Sequence, residues 1–171
     1  MHQLLLLRHA KAVRDASGLA DRDRPLARRG RRDAAAVRQA MRALGLVPDL
    51  ILVSPALRTS QTLAALEPWD DTPLVESLDP LYLADAAQLR AVLAEVAETV
   101  RSVLLIGHNP GLHELACRLA GSTQSKAASR LAESYPTSAL AEFAIPGPWS
   151  QSGGARLIRF LTPGDLAGGR E

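Results

Sequence analysis

The chain has 171 residues, 47% hydrophobic and 22% charged, with a formal net charge of +2. That length and balance suit one soluble globular domain with a sizeable core. The near-neutral charge supplies no field that would imply nucleic acid, no stretch reaches the length of a membrane span, and a lone cysteine, Cys117, excludes an internal disulfide.

Gln3 to Leu7 is an apolar run without polar alternation, which predicts a strand buried on both faces. It is too short for a signal-peptide core and ends in Arg8-His9 instead of a small-residue cleavage site, so the expected location is the cytoplasm. Ala10 to Leu26, punctuated by Gly18 and Pro25, reads as a loop across the sheet edge. A helix follows from about Ala27 or Gly30 to Leu44, with Val37, Met41 and Leu44 as its apolar stripe and Gly45 as its stop. Leu50 to Val53 is the second strand. Ser54 is then a good N-cap and Pro55 a good first helical residue for a helix running to Leu66.

Pro73 to Glu76 reads as a short strand. Asp85-Ala86-Ala87-Gln88 fits a capping box that opens a helix with Leu89, Val92, Leu93 and Val96 inward. Val103 to Ile106 is the third strong strand, after which Asn109-Pro110 repeats the cap-plus-proline device before a helix carrying Leu112, Leu115, Ala116 and Leu119. Cys117 in that helix reads as a buried thiol. Ser122 to Ser134 is a polar loop with a short helix. Ala139 to Ile145 and Arg156 to Leu161 form a late strand pair. A single domain over residues 1–161 and a frayed tail over 162–171 are expected.

Three of these strands end alike. Each runs into a tight turn, a basic residue and a helix: Arg8-His9, then Ser54 to Arg58, then Gly107-His108-Asn109-Pro110-Gly111. In an open α/β sheet, ligands bind outside the carboxyl ends of the strands, so the three turns predict one anion site holding Arg8, His9, Arg58 and His108. A neutral imidazole can attack phosphorus and form a phosphohistidine that water later opens. Arginines grip phosphoryl oxygens in bidentate fashion at any working pH, and nearby cations favour the neutral form of a histidine. His9 is therefore the expected nucleophile, Arg8 and Arg58 the clamps, and His108 a stabiliser of transition-state charge. There is no CxxC or HExxH, and the four histidines are scattered. Neither a metal nor another cofactor is expected.

Leu7-Arg8-His9-Ala10-Lys11, Ser54-Pro55-Ala56-Leu57-Arg58-Thr59-Ser60-Gln61-Thr62 and Gly107-His108-Asn109-Pro110-Gly111 resemble the three motifs of the histidine phosphatase superfamily, most closely its branch typified by the phosphohistidine phosphatase SixA. Asp21-Arg22-Asp23-Arg24-Pro25-Leu26 with Arg29-Gly30, and Tyr135-Pro136-Thr137, are similar to further markers of that branch. The resemblance runs from about residue 3 to 161. It implies a phosphoglycerate mutase-like fold, a three-layer α/β/α sandwich around a mainly parallel sheet. It also implies a phospho-His9 intermediate in a pocket completed by Arg8, Arg58 and His108. Arg24 becomes a further phosphate contact, or else a loop arginine paired with Asp21 or Asp23. Lys11 approaches the anion or is simply solvated.

Two departures bear on chemistry. The commonest first motif has glycine after the histidine, where this chain has Ala10, a change that SixA-like members tolerate. Larger relatives supply a carboxylic acid to protonate the leaving oxygen. Here Glu76, Asp79, Asp21 and Asp23 are candidates without a convincing motif. A site without an acid suits P–N cleavage better than P–O cleavage, since a positioned donor contributes typically about 10²- to 10⁴-fold.

The expected function is a metal-independent phosphatase acting on phosphohistidine of a protein. The alternatives are a small-molecule phosphomonoesterase and a non-catalytic phosphate-binding regulatory domain. A phosphorylated protein or small phosphorylated molecule is the expected partner, and a monomer the expected state. Arg28, Arg29, Arg31 and Arg32 crowd the start of the first helix against its macrodipole, either as a solvated surface or as a docking patch for an acidic phosphoprotein domain.

Overall fold

Strand β1 (His2–Arg8) lies near the middle of a six-stranded sheet, and the computed structural model describes residues 1–14, 18–121, 123–151 and 153–167. The other strands are β2 (Leu50–Val53), β3 (Leu74–Ser77), β4 (Ser102–Gly107), β5 (Leu140–Ile145) and β6 (Arg156–Leu161), in the spatial order β3-β2-β4-β1-β5-β6. β3, β2, β4 and β1 run parallel, and β5 and β6 continue antiparallel.

The all-apolar central strands divide their side chains between two cores, as the two-residue period requires. Leu4, Leu6, Leu50, Leu52, Val103 and Leu105 face one core, which helices α3 (Ala86–Ala94), α4 (Gly111–Ala120) and α5 (Lys126–Glu133) cover. Leu5, Leu7, Ile51, Val53, Leu104 and Ile106 face the other, under α1 (Arg28–Ala43) and α2 (Leu57–Leu66). The result is the three-layer α/β/α sandwich expected from the family resemblance.

Glycine is required where two backbones meet. A Cβ on Gly30 would sit 2.1 Å from the Lys11 carbonyl oxygen, and one on Gly111 would sit 1.9 Å from that of Ala84. The first contact presses α1 onto the loop after β1. The second presses the start of α4 onto the turn at residues 84–85. Asp85 completes its capping box with Gln88, as the sequence predicts.

Several local readings are corrected. Helix α2 starts at Leu57 with Ala56 in the N-cap position, so Ser54 is not the N-cap, its Oγ reaching only one backbone N–H, that of Ala56 at 3.4 Å, and Pro55 is not helical. Helix α4 starts at Gly111 after Pro110, with no side-chain cap from Asn109. The short strand expected at Pro73 to Glu76 does form, as β3 one residue later, and is exposed along its whole length at the sheet edge. Cys117 is only half-buried, and burial still raises its thiol pKa. The tail is not frayed from residue 162. Pro163–Ala167 forms α6, where Leu166 packs on the α1 side and Asp165 meets Arg130 at 2.6 Å. Residues 168–171 and Ser122 lie outside the described residues.

Candidate active site

Parallel pairing brings the ends of three strands level. Arg8 pairs with Gly107 and Val53 with Ile106, so β1, β2 and β4 end at the same edge. Two further bonds, His9 N–H to the Gly107 carbonyl (3.1 Å) and Ser54 N–H to that of Ile106 (3.2 Å), extend the ladder just past the strands. An open cleft of about 310 Å³ lies there, and its lining includes Arg8, His9, Lys11, Arg24, Arg58 and His108. All six residues singled out from sequence therefore line one cavity.

His9 is buried, and its ring lies 5.3 Å from that of His108 between centroids. His9 Nδ1 lies 2.8 Å from the Ala10 carbonyl oxygen. A carbonyl only accepts, so Nδ1 carries the proton and Nε2 keeps its lone pair. Burial pushes the His9 pKa down to about 4, the Ala10 bond opposes this, and Arg58, Arg8 and Arg24 lower it further. His108 is also buried. Its Nδ1 takes a hydrogen bond from Arg58 Nη2 at 3.3 Å, and its Nε2 donates to Ser54 Oγ at 2.7 Å. Burial, then His9 and Arg58, hold its pKa down at about 3, with Asp21 opposing. Both rings are neutral at physiological pH.

The arginines are fixed from behind. Arg58 leaves the first turn of α2, is 2% exposed, and donates from Nη1 to the Asp21 carbonyl (2.8 Å) and from Nη2 to Asp21 Oδ2 (3.0 Å). Arg24 grips Asp21 Oδ1 with Nε (3.1 Å) and Nη2 (2.9 Å), and its Nη1 donates to the Val13 carbonyl at 2.7 Å. Both sequence readings of Arg24 are thus realised together, since it pairs with Asp21 and still lines the cleft. Arg8 Nη1 donates to the Tyr135 carbonyl at 3.0 Å, and burial followed by the neighbouring Arg58 lowers its pKa. Lys11 is exposed at the rim.

Of the four carboxylates considered as acids, only Asp21 lines the cleft. It accepts a short hydrogen bond from the Tyr82 hydroxyl. That bond first, then those from Arg24 and Arg58, outweigh the opposing effect of burial and hold it well below the usual carboxylate range. It is ionised at neutral pH and has no proton to give. Asp79 pairs loosely with Arg22 at 3.7 Å, and Glu76 lines a separate groove beside α3.

Four contributors were missed. Tyr82 holds Asp21 and stands edge-on to His108, with centroids 5.6 Å apart. Ser54 orients His108 instead of capping a helix, and it sits at a strand end like the residues that were identified. Thr62 accepts from the Ala10 N–H (2.9 Å) and donates to the Arg58 carbonyl (2.7 Å), tying the two basic motifs together. Asn109 joins Arg8 on the Tyr135 carbonyl, at 2.8 Å. Residues 123–134 do not line the cleft.

Comparison with known proteins points to one family. The model of the "Histidine phosphatase superfamily (branch 1)" matches residues 4–79. A solved structure of a phosphohistidine phosphatase SixA candidate from Nakamurella multipartitia is 30% identical, with a TM-score of 0.82, covering 95% of this chain and 96% of that one. A second SixA candidate, from Agrobacterium tumefaciens, is 32% identical with a TM-score of 0.82, covering 95% and 98%. A protein histidine phosphatase SixA solved with tungstate is 26% identical with a TM-score of 0.78, covering 96% and 99%. With likeness over nearly the full length of these chains and the motif residues gathered at one sheet edge, the chain belongs to the histidine phosphatase superfamily, on its SixA-type branch.

Proposed function

We propose that the protein hydrolyses phosphohistidine on a protein through a phospho-His9 intermediate, without a metal ion. The reading is carried by one arrangement. A neutral, oriented imidazole, His9, faces a cleft lined by the cations Arg8, Arg24 and Arg58 and a second neutral imidazole, His108, and the carboxylate there, Asp21, is locked as an anion.

In the first step the lone pair on His9 Nε2 forms the new N–P bond as the P–N bond to the substrate imidazole breaks. That imidazole departs as a neutral base when its remote nitrogen carries a proton, so no enzyme acid is needed. Arg8, Arg24 and Arg58 bind the phosphoryl oxygens and disperse charge that builds in the transition state. His108 lies beside the same group, and its Ser54 bond fixes its orientation. In the second step water attacks phosphorus, the His9–P bond breaks, and inorganic phosphate leaves. The low His9 pKa keeps the nucleophile unprotonated throughout the neutral range. One SixA relative solved with tungstate, a tetrahedral oxyanion, supports an oxyanion as the ligand.

Rapid quenching with a ³²P-phosphohistidine protein and with p-nitrophenyl phosphate tests the reading. Acid-labile label on His9, lost in His9→Ala, and faster turnover of the phosphohistidine protein are expected, unchanged by chelator. Label and turnover from the aryl phosphate alone would leave a phosphomonoesterase. No label from either substrate would leave a phosphate-binding domain.

A further inference from the structure

We propose that the first turn of α1, together with Lys11, is an electropositive docking lip for an acidic protein surface flanking the phosphohistidine. This inference rests on the phosphohistidine reading above.

The topology sets the location. β1 and β2 lie parallel, each paired to β4, and α1 joins them, so α1 runs back along the sheet and its first turn stands at the edge where β1 ends. That turn rests on the cleft itself. The Ala27 N–H donates to the carbonyl of cleft-lining Lys11 at 2.9 Å, and Gly30 packs against the same carbonyl.

The inward face of α1 is Gly30, Ala34, Val37 and Met41. Arg28 and Arg32, one helical turn apart, project from the opposite face, Arg31 lies beside them, and all three are exposed. Arg29 is partnered by Asp33 at 3.6 Å. Among the described residues, Arg28, Arg31 and Arg32 form no ion pair. The carboxylate of Asp21 is already held by Arg24 and Arg58, and that of Asp79 lies nearer Arg22, at 3.7 Å, in a loose pair.

Such a cluster works against the helix that carries it. The first turn of α1 has no acidic residue and no side-chain cap. Arginines there oppose the positive end of the macrodipole. The macrodipole therefore gives no reason for them at this end of the helix, whereas an acidic partner does. Its charges would be steered to a positive rim beside a positive cleft, mainly quickening encounter, with an effect that salt screens.

Two phosphohistidine peptides test this, identical except that one carries aspartates and the other serines around the phosphohistidine. Wild-type protein should prefer the acidic peptide by about tenfold in kcat/KM at low salt, and 0.5 M NaCl should erase the preference. Arg31→Glu with Arg32→Glu should abolish or reverse it, with Arg31→Gln and Arg32→Gln intermediate, while p-nitrophenyl phosphate turnover stays within twofold. Reversal to glutamate favours the macrodipole, so an undiminished melting temperature should show that the loss is not unfolding. Equal rates on both peptides in the wild type, or a preference unchanged in the double variants, would overturn the docking lip while leaving phosphohistidine hydrolysis standing. Turnover of p-nitrophenyl phosphate but of neither peptide would overturn the phosphohistidine reading and the lip with it.

Discussion

Asp21 clasps Arg58 twice, accepting Nη1 on its backbone carbonyl at 2.8 Å and Nη2 on its carboxylate at 3.0 Å. Asp21, the first residue of a single 3-10 turn (Asp21–Asp23), thereby fixes the guanidinium of a helix 37 positions away. Because the same carboxylate holds Arg24, one anion sets the spacing of two phosphate-seeking groups before substrate arrives. Placement of this kind accounts for large rate factors, and misplacement by about 1 Å can cost about 10²-fold. Asp21→Ala should therefore lower kcat/KM for p-nitrophenyl phosphate by about 10- to 100-fold. Asp21→Asn, whose amide oxygen and backbone carbonyl can still accept from Arg58, should lose less. Tyr82→Phe removes one donor and should cost severalfold. Steady-state kinetics on folded variants checks the order, and an Asp21→Ala protein as active as wild type would remove the positioning role.

The pH behaviour follows from the two buried histidines. Their folded pKa values, about 4 for His9 and about 3 for His108, lie below the ordinary 6.5. Between those limits the unfolded chain binds more protons than the folded one. Stability is therefore fully present above pH 6.5 and declines on acidification towards pH 4 and 3, at up to about 1.4 kcal/mol per pH unit for each histidine. Activity should persist well below pH 6.5, because His9 stays neutral there. Urea titrations and kcat/KM profiles from pH 4 to 8 measure both, and an acid limb centred at pH 6.5 would contradict the buried, neutral His9.

Which parts of this site were legible in the sequence has a physical pattern. Arg8, His9, Arg58 and His108 stand at or just beyond the ends of all-apolar strands, and such runs announce both a buried strand and its abrupt end. The anion cleft was legible from those ends, whereas the layered, mainly parallel sheet came from the family resemblance and the strand order only from the structure. Ser54 was misread because a serine before proline satisfies every local rule for a helix cap. A tertiary bond to His108, 54 residues away, prevailed over that local rule. Tyr82 carries no local signal. It meets Asp21 and His108 beside the cleft through long-range packing, two residues before the point where Gly111 lets α4 close onto the backbone of Ala84. The ordered α6 was hidden for a related reason, since its anchors, Leu166 against the α1-side core and Asp165 against Arg130, are long-range.

Ser54 gives the third prediction. Its Oγ is the partner of the His108 Nε2–H, and both residues are buried, at 0% and 3% exposure. Ser54→Ala leaves that N–H without an acceptor, a cost of about 1–3 kcal/mol. It also lets the imidazole tilt. A lower urea midpoint and a kcat reduced about tenfold with little change in KM are expected, whereas Ser54→Thr, which keeps the hydroxyl, should recover part of both. Equal losses in the alanine and threonine variants would point to packing instead of the hydrogen bond.

Gly111 gives the fourth. An alanine there would place its Cβ 1.9 Å from the Ala84 oxygen and 2.9 Å from the Asp85 Cα, both backbone atoms that no side-chain rotation can move aside. Either α4 or the turn at 84–85 must shift, at a cost of at least about 1–3 kcal/mol. The turn sits two residues from Tyr82, so the shift should reach Asp21 and, through it, Arg58. Gly111→Ala should therefore lose stability and also show a kcat deficit resembling that of Tyr82→Phe. Combining the two substitutions tests the route: if displacement of Tyr82 is what Gly111→Ala does to catalysis, the double variant should be barely slower than Gly111→Ala alone. Fully multiplicative losses would mean that the glycine acts on the cleft by another path.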